Sequence, residues 1–204
     1  LRADRQPEFT QIDLEMSFVE EDDVIAVNEG FLQRVFKEVL DIDIQLPLPR
    51  MPYQEAMDRF GSDKPDLRFG FEIKDISDIA KSCDFAVFKN AVEGGGTVRL
   101  INVDGYADKF PRKEIDKLAD FVKTYRAKGL AWLKLAADGT VTSSFAKFLK
   151  PDELEAVKAR ANAKPNDLLF VVADTDTDTA LVSLGALRCE LAKRLGLARK
   201  DDFK

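Results

Sequence analysis

The chain has 204 residues, 33% charged and 45% hydrophobic, with 31 basic side chains against 37 acidic ones and no histidine. This is enough for one large or two small globular domains, and a net charge of −6 provides no global basic field to draw nucleic acid. Lack of histidine excludes Ser-His-Asp and Cys-His nucleophile pairs, imidazole bases and histidine-bearing zinc sites.

The chain opens on a polar loop, Leu1 to Glu8, that carries Arg2, Asp4, Arg5, Gln6 and Glu8 and is closed by Pro7. From Phe9 to Phe18 polarity alternates: Ile12, Leu14, Met16 and Phe18 point one way, and Gln11, Asp13, Glu15 and Ser17 the other. That period of two predicts a strand with one apolar face and one face of amides and carboxylates. The acids Glu20 to Asp23 then open a helical pattern running to about Leu40, where the macrodipole favours them. Its apolar stripe is Val24, Val27, Phe31, Val35 and Val39, with Leu32 and Phe36 beside it. Ile42 to Pro49 reads as extended, because Pro47 and Pro49 forbid a helix. A short helix follows, with Pro52 in its first turn and Gly61 as its left-handed stop. In the turn after it, Asp63, Lys64, Asp66 and Arg68 are placed to pair.

From Phe71 short β-rich runs alternate with helical patterns, an α+β cadence without regular β-α-β units. Strands are predicted at 71–73, 85–88, 97–103, 130–135 and 168–172. Helices are predicted from Pro111 to Gly129, from Pro151, and from about Asp178 to Leu195. Glu93-Gly-Gly-Gly-Thr97 lacks the Gly-Lys-Ser/Thr ending of a phosphate loop and reads as a flexible hairpin turn, or as a contact loop at an interface. Asp174-Thr-Asp-Thr-Asp178 has the alternating acids of a calcium loop without its glycine or closing glutamate, and reads as a helix cap. Seven cations from Lys109 to Lys128 are interspersed with Asp108, Glu114, Asp116 and Asp120. They read as a mixed solvated face, with a phosphate-binding patch as the alternative. Trp132 and most phenylalanines sit among leucines and β-branched neighbours, as core residues do. Cys83 and Cys189 match no metal or redox spacing and read as free thiols of a reducing compartment. No apolar run reaches the ~20 residues of a membrane span and no signal peptide opens the chain, so the expected location is cytoplasmic.

Two strings carry a family resemblance. Leu1-Arg-Ala-Asp-Arg-Gln-Pro-Glu-Phe-Thr-Gln-Ile-Asp-Leu-Glu-Met-Ser-Phe18 is similar to the second half of motif 2 of class II aminoacyl-tRNA synthetases, most closely the bacterial aspartyl-tRNA synthetases. Met51-Pro-Tyr-Gln-Glu-Ala-Met-Asp-Arg-Phe-Gly-Ser-Asp-Lys-Pro-Asp-Leu-Arg-Phe-Gly70 resembles the segment by which those enzymes leave their catalytic core. The remainder resembles their GAD insertion domain, a module shared with the B subunit of the tRNA-dependent amidotransferase.

The fold this implies is α+β. A GAD-type insertion domain, a mixed sheet with flanking helices over 71–204, returns toward the core at its C-terminal end. It is attached to an incomplete piece of a class II antiparallel core over 1–70. The implied activity is an aspartate–tRNA ligase using ATP and Mg²⁺ to form aspartyl-adenylate, then passing the aspartyl group to tRNA, in a homodimeric parent. Position by position, Gln6 corresponds to a loop residue that contacts ATP. Gln11 and Asp13 correspond to strand positions facing the aspartate, with Asp13 near its ammonium, and Arg2 and Arg5 to loop positions near the tRNA acceptor end. No residue corresponds to a catalytic or metal-binding position.

Motif 1, the aspartate-selecting segment, the anticodon-binding barrel, the motif 3 arginine and the pocket histidine have no counterpart in this sequence. Nor do the arginine and acid that precede the first string in the family. With a chain that starts inside a motif loop and without Met, the expectation is an excised piece that does not aminoacylate by itself. The rival reading is a non-catalytic module that binds tRNA or a partner protein. A stand-alone hydrolase or a signalling scaffold finds no motif. Charging of aspartate tRNA only, or of asparagine tRNA as well, is left open.

Overall fold

A computed structural model describes residues 6–199. By contacts the chain divides into two compact units, one up to Arg50 and one from Met51 onward, ahead of the change of domain expected at Gly70.

The first unit is built on α1 (Glu21–Leu40). Glu21, Asp22 and Asp23 stand in its first turn and Lys37 in its last, each matched to the helix dipole. The Glu20 N–H donates to Asp23 Oδ2 at 2.9 Å, and Asp41 ends the helix in the left-handed region at φ 54°. The segment after it is tied back along the helix: Gln33 Nε2 donates to the Ile44 carbonyl at 2.9 Å and the Leu48 N–H to Glu29 Oε1 at 3.0 Å. The predicted apolar stripe is present, but within this unit Val24, Val27, Phe31, Leu32, Val35 and Val39 remain exposed.

Residues 9–18 depart from expectation, because no strand forms there. Phe9 is 76% exposed, Ile12 68% and Leu14 50%, and Phe18 takes a positive φ of 59°. Alternation sets which side chains share a face, but a strand exists only when its N–H and C=O groups find a neighbouring ladder. No described strand supplies one.

The second unit is a five-stranded sheet between two layers of helices. Its elements are α2 (Tyr53–Phe60), β1 (Lys74–Asp75), α3 (Ser77–Ala80), α4 (Ala86–Glu93), β2 (Thr97–Val103), α5 (Arg112–Lys123), β3 (Ala131–Leu135), β4 (Val141–Ser143), α6 (Pro151–Ala161), β5 (Leu168–Asp174) and α7 (Thr177–Leu195). Strand order is β1-β2-β5-β3-β4, and every neighbouring pair is antiparallel, so the α+β class holds while the sheet is not the mixed one expected. Central β5, Leu-Leu-Phe-Val-Val-Ala-Asp, is apolar at consecutive positions because both its faces are covered. Leu168, Phe170 and Val172 pack with Met57 of α2, Ile115, Leu118 and Val122 of α5 and the leucines of α7. Leu169 and Val171 pack on the opposite face with Ala80 of α3, Phe88 and Ala91 of α4 and Val157 and Ala161 of α6.

Strands 97–103, 130–135 and 168–172 and the helices from Pro151 and Asp178 lie where the sequence places them, to within two residues. The run 85–88 is not a strand but the start of α4, with Phe88 and Ala91 on its buried face at a spacing of i, i+3. An apolar run that short fits either period. The strand read at 71–73 appears as β1 slightly later, and β4 follows a turn at Gly139 (φ 85°) with too little apolar content to be read. Helix α5 stops at Lys123, well before Gly129, and Arg126 turns the chain at φ 74°. The glycine run 94–96 joins α4 to β2 and is no hairpin. Its third member is required, since a Cβ on Gly96 would lie 2.0 Å from the Asp174 carbonyl oxygen. Asp176 caps α7, accepting from the Asp178 N–H at 3.3 Å and from Thr179 Oγ1 at 2.6 Å.

Candidate functional site

Gln6, Gln11 and Asp13 lie in the irregular stretch before α1, all exposed to solvent. Arg2 and Arg5 lie outside the described residues. An exposed amide such as Gln6 both donates and accepts, as recognition of a nucleotide requires, and an exposed carboxylate such as Asp13 is a charge-assisted acceptor for an ammonium.

The second diagnostic string, 51–70, is the opposite case, being held firmly inside the second unit. Helix α2 buries Ala56, Met57 and Phe60 and ends on Gly61 at φ 65°. Of the four charged residues in the turn, Asp66 and Arg68 pair: Arg68 Nε and Nη2 donate to the two Asp66 oxygens at 2.9 and 2.7 Å. That guanidinium holds the Asp66 carboxyl below its ordinary range. Asp63 and Lys64 stay exposed.

Behind the turn lies Arg188 of α7, 1% exposed. Its guanidinium sits between the Phe60 and Phe69 rings, 4.9 and 4.6 Å from their centroids. Its Nη2 donates to the carbonyls of Asp66 and Gly70 at 3.0 Å each and of Phe69 at 3.3 Å. Burial pulls its pKa down, offset in part by the Asp66 charge. One helical turn earlier Gly185 lies against the end of α2, where a Cβ would meet the Phe60 and Gly61 carbonyl oxygens at 2.6 Å. The arrangement is a clamp: a planar cation of α7 gathers three carbonyls of the turn that follows α2.

The sequence reading missed buried polar residues, among them Arg188, Asp167 and Glu29. Arg188 had a signal, a charge at the core spacing of Leu181, Leu184, Leu187 and Leu191. Asp167, 2% exposed, accepts from the Gly105 N–H at 2.7 Å and from Asn102 Nδ2 and the Lys164 N–H at 2.8 Å. It and Glu29 bond to backbone far along the chain, which no local pattern announces. The cations around α5 are mostly neutralised nearby: Arg112 by Asp116, Lys117 by Glu114, Lys123 by Asp120 and Lys128 by Asp174. That is the mixed face expected. Cys83 is buried, Cys189 is exposed and both are free thiols. No helix among the described residues is long and apolar enough to cross a membrane.

Residues 88–184 match the GAD domain family, and the antiparallel sheet unit with its two helical layers is the fold that carries this match. The chain is 55% identical over its whole length to an aspartate–tRNA ligase of Ruminiclostridium cellulolyticum and 56% identical over 203 residues to an aspartate–tRNA(Asp/Asn) ligase of Lachnoclostridium phytofermentans. It spans 34% of the length of each. A hypothetical protein, PH0730 from Pyrococcus horikoshii OT3, overlaps 51% of this chain and 58% of its own at 20% identity and a TM-score of 0.37, too distant to carry an argument. The chain thus carries a match to the GAD domain family over residues 88–184 and is similar over its whole length to bacterial aspartate–tRNA ligases, about a third of whose length it spans.

Proposed function

We propose that the chain serves an enzyme that joins aspartate to tRNA, first activating the α-carboxylate with ATP to aspartyl-adenylate and then passing the aspartyl group to the terminal ribose. The observation that carries this is identity of about 55% across all 204 residues to aspartate–tRNA ligases. In this reading Gln6 contacts ATP, Gln11 and Asp13 hold the amino acid, Arg2 and Arg5 meet the acceptor end, and 71–204 is the insertion domain. Such chemistry rests on positioning and charge stabilisation more than on covalent participation. Exposed Gln6, Gln11 and Asp13 suit a nucleotide and an ammonium. Among the described residues no cluster of three metal-ligating side chains converges, so no step is assigned to Mg²⁺ here.

The test compares the isolated chain with the same residues inside a full-length ligase. The chain alone gives no aspartate-dependent ATP–pyrophosphate exchange above a protein-free blank. In the full-length enzyme Asp13→Ala weakens aspartate by about 1.5–3 kcal/mol, the worth of a charge-assisted hydrogen bond, with ATP little changed. Exchange by the chain alone would overturn the reading of it as an incomplete site, and unchanged aspartate kinetics in the variant would remove Asp13 from the pocket.

A further inference from the structure

The sheet contains a place where its ladder comes apart. Strand β5 pairs with β2 along its whole length, to Thr97 opposite Asp174, but pairs with β3 only as far as Ala131 opposite Val171. At the other end of that second ladder the Leu135 N–H donates to the Asp167 carbonyl at 2.9 Å. Bonded pairs recur at every second residue of an antiparallel ladder, so Leu133 with Leu169 and Ala131 with Val171 are bonded pairs, and Gly129 with Ala173 would be the next. That pair is not made. The Ala173 N–H and C=O are therefore turned toward Gly129 across an opening.

The opening is the end of a cleft of about 500 Å³ lined by Phe85, Val87, Phe88 and Ala91 on the α4 side and by Leu130, Ala131, Val171 and Ala173 on the sheet side. It exists because the sheet residues there are small: the alanines at 131 and 173 leave space beneath α4 that leucines would fill. Lys128 stands at the mouth, 3.3 Å from Asp174; its side chain is 70% exposed and Asp174 only 5%, so the ammonium keeps solvent-facing donors free for a second carboxylate. The cation therefore faces outward and its counter-charge inward.

From the broken ladder, the apolar cleft and the outward cation, we infer that this cleft binds a short extended peptide carrying an apolar residue beside an acidic one. The peptide's amide takes the hydrogen bonds that Gly129 leaves unmade to Ala173, its apolar side chain enters the cleft under α4, and its carboxylate meets Lys128. This is strand addition, in which backbone bonds supply affinity and a pocket for alternate side chains supplies selectivity. A purely apolar small molecule would use the cleft but neither the Ala173 amide nor Lys128. The inference stands on this geometry whether or not the ligase reading holds.

The experiment is a titration of the isotopically labelled chain with a capped hexapeptide of alternating valine and glutamate, followed by amide resonances. Saturable shifts are expected at 129–131 and 171–175. Val87→Asp, at a position 55% exposed on α4, should weaken binding about tenfold, as should replacing the peptide's glutamates by lysines. Methylating the peptide's valine nitrogens should abolish it. Equal binding of the methylated peptide would reduce the site to apolar adsorption and overturn the inference. So would the absence of saturable shifts in those two stretches, or isobutanol shifting the same amides at concentrations as low as the peptide needs.

Discussion

At the scale of single residues, Arg188 ties α7 to the turn that follows α2. A buried guanidinium is costly, and here two aromatic faces and three carbonyls on Nη2 offset that cost, while its buried Nε has no hydrogen-bond partner among the described residues. Arg188→Met keeps the length and apolar stem while leaving those carbonyls without their donor. We expect it to destabilise the unit by about 2–3 kcal/mol, read as a lowered urea midpoint at unchanged slope. A midpoint equal to that of the parent chain would show that the carbonyls find water and that the clamp contributes nothing. The candidate site was legible at this scale only through resemblance: nothing in the spacing of Gln6, Gln11 and Asp13 assigns them to a nucleotide or an amino acid. Arg188, by contrast, is legible in principle, as a charge on an otherwise apolar stripe, although arginines are seldom fully buried.

At the scale of elements, the contact between α7 and the end of α2 depends on there being no side chain at position 185. In Gly185→Ala the new methyl would press on two backbone oxygens at 2.6 Å, and backbone cannot swing aside as a side chain can. A loss of about 1–3 kcal/mol is expected, as for overpacking elsewhere. Gly30 of α1 is the contrast, since a methyl there meets nothing within 4 Å and Gly30→Ala should stabilise its helix by about 0.4–1 kcal/mol. Chemical denaturation of the two variants checks both signs, and a neutral Gly185→Ala would mean that α7 is free to shift. The elements themselves were legible where period and boundary agreed. Helix α6 announces itself with Pro151, Asp152 and Glu153, and β5 with its apolar run. They were illegible where one cue stood alone. Phe85 to Phe88 offered apolar residues without a decisive period, and Phe9 to Phe18 offered a period without a partner.

At the scale of the whole chain, the two units differ in how much they bury. The second has cores on both faces of its sheet, whereas in the first Glu29 is the only residue of α1 that is buried. Amides of 168–172 should therefore exchange hydrogen only on global unfolding of their unit, and those of 9–18 at rates near those of an open chain. Hydrogen exchange on dilute monomer reads this directly, and equal protection in the two stretches would contradict it.

The sheet order carries a consequence for synthesis. Strand β5 lies between β2 and β3 but comes after both, and after β4 as well, in the chain. Until residues 168–174 are made, a polypeptide leaving the ribosome can pair β1 only with β2, and β3 only with β4, in two separate and marginal ribbons. Each ribbon has an unpaired edge and an apolar face that a neighbouring nascent chain could join. The last strand to emerge is the one that makes them a single sheet.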